Sequence, residues 1–360
     1  MNNMHIILKN DRIKLDKLDM LYMQESSNGN YFYVVCEHEI MVFHKNFKKS
    51  NSLSINYIAS FPNSFEIKYH MNNSYLKLFY NYKYLIFDIL DCKCFFIGGY
   101  MDNSLRMYLK NKEKDIMYSI YVESQIKCLK NNKDDQTFYT GHENGKIIKW
   151  KYKINPDNNK ISIRKDTSIR GHKSSVKMLE VNQKYECIIS IDNDEIIFIR
   201  KIYDFELLSY IKINKHKKKV IDINIHEQII ILTILKIKTD EIFLYTYTLN
   251  GLKLGKIKEP LKLPITTIPN TDEIIILRKG NIYLAKIAFN EKTSILAISN
   301  NLEVPNIDWS SENENDVAFN FNKDLQQNEG ISYFYDSKNK VLFYLFSNGM
   351  LYRINFVKNA

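Results

Sequence analysis

The sequence has little of what a secreted, membrane-spanning or metal-held protein needs. Its five cysteines, Cys36, Cys92, Cys94, Cys128 and Cys187, are odd in number and irregularly spaced, which argues against a disulfide framework and for a reducing compartment. Cys92 and Cys94 are two apart, on one face of any strand, and no second Cys/His pair stands at a zinc-site spacing, so no metal is expected. Residues 1–9 mix Asn, His and Lys with an apolar run too short for a signal-peptide core. The most apolar stretch, 229–235, falls far short of the roughly 20 residues a membrane span needs. A cytoplasmic protein, soluble or peripheral to membranes, is the expectation. Gly-rich phosphate loops, His-Glu-x-x-His, kinase signatures and Cys-x-x-Cys pairs are also missing. We therefore expect no cofactor and no enzymatic activity.

What is present is core material and positive charge. Apolar residues make up 45% of the 360 residues, with 25 Tyr and 20 Phe, enough to bury a core. The formal net charge is +10, the balance of a polyanion binder. Lys, Asn, Ile and Tyr are abundant together and share A/T-rich codons, so nucleotide bias is the competing explanation of that charge.

Apolar stripes at helical spacing are scarce, whereas short runs of β-branched and aromatic residues recur at 31–35, 84–89, 146–152, 196–199, 242–247 and 341–346. Asn, Asp and Gly separate them, the pattern of an all-β chain of many short strands. A repeat narrows the options. Residues 98–108, 140–150 and 190–200 fit one eleven-residue frame: small residues open it, Asp102, Asn144 or Asp194 stands fifth, and Tyr108 or Trp150 closes it, with Arg200 in that place in the third copy. Residues 344–354 fit with Asn348-Gly349 in the turn. The frame reads as strand, tight turn, strand, since Asp or Asn before Gly tolerates positive φ. A second marker, Gly171-His172-Lys173-Ser174-Ser175-Val176, recurs 44 residues later around His216 and Val220.

A period in the forties, a Gly-His opening and an aromatic ending the third strand resemble the WD-repeat family, most clearly over 94–213. The resemblance implies an all-β, WD-repeat β-propeller of four-stranded blades, seven by preference, at 20–60, 61–125, 126–170, 171–213, 214–258, 259–301 and 302–357. One domain would then span 1–360, with 5–8 pairing with 351–357 to complete the last blade and a polar insertion at 310–327. It also assigns a structural hydrogen-bond network to His172, Ser190 and Asp194, with His216, Asp102, Asn144 and Trp150 at repeat positions. The same His172, Ser190 and Asp194 could be taken for a nucleophilic triad, but no nucleophile-elbow sequence surrounds Ser190, and the structural role is expected.

Lys215, Lys217, Lys218 and Lys219 follow the repeat frame into a rim loop, matched in the previous repeat by Lys173. They are the candidate partner-binding patch, for an acidic peptide, a phosphoinositide or RNA. No paired-arginine motif of the phosphoinositide-binding propellers is present; 198–201 is a faint echo of it. Within the WD-repeat class, 95–108, with its Gly-Gly-x-x-Asp-Asn-Ser-Leu-Arg element, is similar to the C-terminal propeller of BEACH-domain (neurobeachin-like) proteins. The order that follows, through Trp150, Gly171-His172 and 247–251, is similar too. That resemblance implies vesicle trafficking and membrane dynamics, although these 360 residues have no room for a BEACH domain itself. The expected function is a non-catalytic scaffold for other proteins, with peripheral membrane association, nucleic acid disfavoured and no homo-oligomer required. The alternative is a basic-patch propeller that binds a polyanion.

Overall fold

Alternating apolar residues in runs of five to ten make this chain a set of strands, and the strands order themselves as consecutive antiparallel neighbours. A computed structural model describes residues 4–7, 12–14, 20–25, 31–36, 39–47, 53–62, 64–65, 82–83, 87–91, 94–98, 103–109, 116–132, 136–155, 160–226, 229–258, 266–267, 273–278, 281–290, 295–298, 306–307, 330–336, 341–346, 348 and 350–358. Among these residues there are strands and turns and no helix. The chain divides into two compact units: residues 26–46 and 56–207, and residues 1–25, 47–55 and 208–360.

In the first of these units, strands Phe87–Asp91, Cys94–Gly98, Ser104–Leu109 and Ile116–Tyr121 form a four-stranded meander. A second follows as Ile126–Asn132, Thr137–His142, Lys146–Asn155 and Lys160–Arg170. Strands Val176–Asn182, Cys187–Asp192 and Ile196–Lys201 begin a third. Thr137–His142 is buried along its whole length because its two faces serve two cores. Phe138 packs with Leu105, Ile126, Ile148, Trp150 and Tyr152. Tyr139, on the opposite face, packs with Cys128, Ile147, Val176, Leu179, Ile188, Ile202 and Phe205. Gly141 lies between, where an added Cβ would sit 2.4 Å from Cys128 Sγ and 2.7 Å from Val176 Cγ1. Such face-to-face stacking explains why the inner strands are apolar on both sides.

In the other unit, Lys218–His226, Ile229–Lys236, Glu241–Thr248 and Lys253–Lys258 make a four-stranded meander, as do Thr266–Thr267, Glu273–Arg278, Asn281–Asn290 and Ile295–Ile298. The C-terminal sheet runs Gly330–Asp336, Val341–Phe346 and Met350–Lys358. Met4–Ile7 joins it antiparallel, with His5 opposite Val357 and Ile6 opposite Phe356. The expected 5–8 strand is thus found one residue earlier, covering an edge that would otherwise be open to another chain. Asn306–Ile307 then pairs with Met4–Ile7 in parallel.

The sheets between 87 and 298 fall inside the intervals read from the repeat, the C-terminal one runs a residue past 357 to Lys358, and the strand run expected at 341–346 has those bounds. The hairpin arm expected at 146–152 continues to Asn155. The sixth frame position takes positive φ in all three copies: 53° at Asn103, 79° at Gly145 and 61° at Glu195. Asp102 and the 310–327 insertion lie outside the described residues.

Candidate functional site

Ser190 and Asp192 are two apart on Cys187–Asp192, so both project from one strand face. His172 is brought to them by the turn of the preceding sheet, its N–H donating to Gly145 O at 3.3 Å. That approach leaves no room for a side chain: a Cβ on Gly145 would lie 2.2 Å from His172 O. The His172 ring meets Asp192 Oδ2 through Nδ1 at 3.0 Å and Ser190 Oγ through Nε2 at 2.8 Å. A carboxylate only accepts, so Nδ1 carries the proton, and in the neutral ring Ser190 O–H donates to Nε2. Asp192 Oδ1 also accepts the N–H groups of Asp194 and Ile196, at 3.0 and 2.9 Å.

The acid of this network is therefore Asp192 and not Asp194. Asp194 sits in the turn itself, half-buried, and contributes its backbone N–H; the third frame position, not the fifth, shares a strand face with Ser190. Arg200, where the frame closes, stays outside the chain: its Nη1 donates to Phe205 O at 2.9 Å and its guanidinium lies over the Phe198 ring at 4.9 Å. The His172 distances match those of a hydrolytic triad, but Ser190 is 0% exposed. With the His172 and Asp192 side chains equally enclosed, no substrate carbonyl reaches Oγ in this arrangement.

One sheet earlier the same frame holds a different chain of hydrogen bonds. Trp150 Nε1–H donates to Thr140 Oγ1 at 2.9 Å, Thr140 Oγ1 meets His142 Nε2 at 2.8 Å, and His142 Nδ1 meets Ser124 O at 3.0 Å. The Ser124 carbonyl can only accept, so the proton is on Nδ1 and Thr140 donates to Nε2. Burial pulls the His142 pKa below its usual value, partly offset by the bond to Ser124 O, which keeps the ring neutral. His142 takes the place of Asp192, and sequence reasoning missed it because it watched the turn Asn. Asn144 instead holds the turn, its Oδ1 accepting from Lys146 N–H at 3.1 Å.

In the next repeat the network is gone. The register places Leu232 opposite Ile223 and Ile234 opposite Val220, where the earlier sheet sets Ser190 opposite Leu179 and Asp192 opposite Val176. Two aliphatic residues stand where Ser190 and Asp192 stood, so those positions offer His216 no acceptor. It is exposed, with only its backbone N–H held, by Asn214 Oδ1 at 3.2 Å.

The lysine run is split between two settings. Lys215 and Lys217 are exposed around a turn in which Lys217 N–H and Lys218 N–H both donate to Asn214 O. Lys218 and Lys219 already belong to Lys218–His226, and Lys218 reaches over the Tyr245 ring at 4.7 Å. Lys173 is exposed in the other unit.

Among the described residues no three His, Cys, Asp or Glu side chains gather as a metal site, and no helix is long and apolar enough to cross a membrane. Cys128 and Cys187 are buried free thiols. Burial pushes the first well up and the second to about 11, so neither offers a thiolate near neutral pH.

No protein-family model matches this chain, and no curated protein does. Among solved structures it is similar to the crystal structure of RRP9 WD40 repeats, with a TM-score of 0.60 and 11% identity over 98% of this chain and 100% of that one. It is similar to the structure of U3-55K at a TM-score of 0.58 and 11% identity, covering 98% of each chain. The fold is a WD-repeat β-propeller. At this identity the likeness carries the fold alone. In the propeller, His172, Asp192, Ser190, Thr140, His142 and Trp150 are buried groups that tie turns to strands.

Proposed function

We propose that the protein is a non-catalytic scaffold, a single seven-bladed propeller over 1–360 that brings other proteins together during vesicle trafficking at the cytoplasmic face of membranes. The observation that carries this reading is where large apolar side chains are exposed. Of the eight such residues among those whose burial is described, five, Leu208, Tyr210, Ile221, Ile237 and Leu252, belong to one compact unit and lie within 208–252. Exposed apolar side chains are what a protein partner covers, and the polar groups with reactive geometry are the ones shut away from solvent.

The trafficking role rests on the similarity of 95–108 and of the 247–251 turn to BEACH-protein propellers, and no separate oligomer is required for it. Proximity labelling from a tagged chain in cells tests it. Enrichment of membrane-trafficking proteins is expected, whereas enrichment of RNA-binding proteins without them would contradict the reading.

A further inference from the structure

Three lysines converge on one buried aromatic ring in the 218–258 sheet. Tyr245 is opposite Lys256 and Tyr247 is opposite Lys253 across the last strand pair, so these side chains share a face. Lys218 opens the first strand, opposite Lys236. The ammonium groups of Lys218, Lys253 and Lys256 lie 4.7, 4.8 and 5.9 Å from the Tyr245 ring centre, and Lys256 is 4.2 Å from that of Phe243. With that ring in common, the three positive charges are close enough to repel one another at a range comparable to the Debye length of about 8 Å at physiological salt. None has a carboxylate partner among the described residues, although Lys236 beside them pairs with Glu241 at 3.9 Å.

Each ammonium is attracted to its ring, while every added lysine repels the others. Among the described residues the three lysines have no counter-charge of their own. We propose that this face of the 218–258 sheet binds an acidic segment of a partner protein, through Lys218, Lys253 and Lys256.

Two observations choose a peptide over nucleic acid. Single-stranded nucleic acid gains its affinity by stacking bases on open aromatic faces, and here Tyr245 is only 3% and Phe243 only 5% exposed. What is open beside the lysines is aliphatic. Leu252, 66% exposed, precedes Lys253, and Ile237, 51% exposed, follows the Lys236 that pairs with Lys218. A segment with acidic residues flanked by apolar ones satisfies both features, and it is protein chemistry.

This inference rests on the scaffold reading and can fail without it. The test is fluorescence anisotropy with a short labelled peptide of glutamates flanked by leucine, beside an oligouridylate and vesicles containing a phosphoinositide. The proteins are the unaltered chain, a Lys218→Gln/Lys253→Gln/Lys256→Gln variant, the corresponding Lys→Arg variant, and a Lys173→Gln/Lys184→Gln control. Peptide binding should weaken about tenfold or more in the Gln variant and persist in the Arg variant and the control. Undetectable peptide binding, equal binding in the Gln variant, or preference for RNA or vesicles would overturn the site. Partner proteins still labelled by a Gln variant that has lost the peptide would leave the site standing and show that scaffolding uses other surfaces. Absence of protein partners for every variant would sink the scaffold itself.

Discussion

Asp192, fully buried, accepts three hydrogen bonds, from His172 Nδ1 and the N–H groups of Asp194 and Ile196. Removing it strands one buried and two part-buried donors, each costing about 1–3 kcal/mol when fully enclosed. Asp192→Ala should therefore lower stability by about 3 kcal/mol or more in urea unfolding, and Asp194→Ala by about 1 kcal/mol or less; the reverse order would restore the turn acid to the network. His142 adds a pH dependence. Its pKa is lowered in the folded chain, so the unfolded chain binds more protons below the usual value of 6.5. The His142 contribution is complete above that pH and is lost as pH falls below it, at up to about 1.4 kcal/mol per unit until the folded pKa is reached. Urea titrations between pH 7.5 and 5 should show that slope, and His142→Asn should flatten it.

At the scale of the element, the hairpin turns carry the repeat. Positive φ at Asn103, Gly145 and Glu195 is a backbone property, and the eleven-residue frame located it because small or polar residues mark the turn whichever residue fills the sixth place. The frame could not say which polar residue faced the histidine, since strand alternation decides that and a turn residue lies outside it. Gly145→Ala combines strained φ with a clash against His172 O, and should cost about 2 kcal/mol or more. Asn103→Gly, which only relaxes φ, should stay within about 1 kcal/mol; thermal unfolding compares the two. Met4–Ile7 was visible as an apolar run needing an edge. Deleting residues 1–8 should lower the melting temperature by about 5 °C or more and promote aggregation through the uncovered Asn355–Lys358 edge, measurable by light scattering.

For the whole molecule, the class of fold was legible because two markers recur in phase, a long-range regularity that survives loss of individual residues such as the closing Trp at Arg200. The Lys218, Lys253 and Lys256 cluster was not legible. Its members come from the two outer strands of one sheet, and only register brings them to Tyr245. Lys215, Lys217 and Lys219, adjacent in sequence, stood out for the opposite reason. The central claim, a protein scaffold and not a polyanion binder, is tested most directly by affinity purification of the tagged chain at low and high salt. A parallel sample carries Lys215, Lys217, Lys218 and Lys219 changed to Glu, and proteins, RNA and lipids are identified in both. The account predicts a core of proteins that stays bound at high salt and includes membrane-trafficking components. Recovery of RNA or acidic lipid alone, lost at high salt and in the charge-reversed chain, would contradict it.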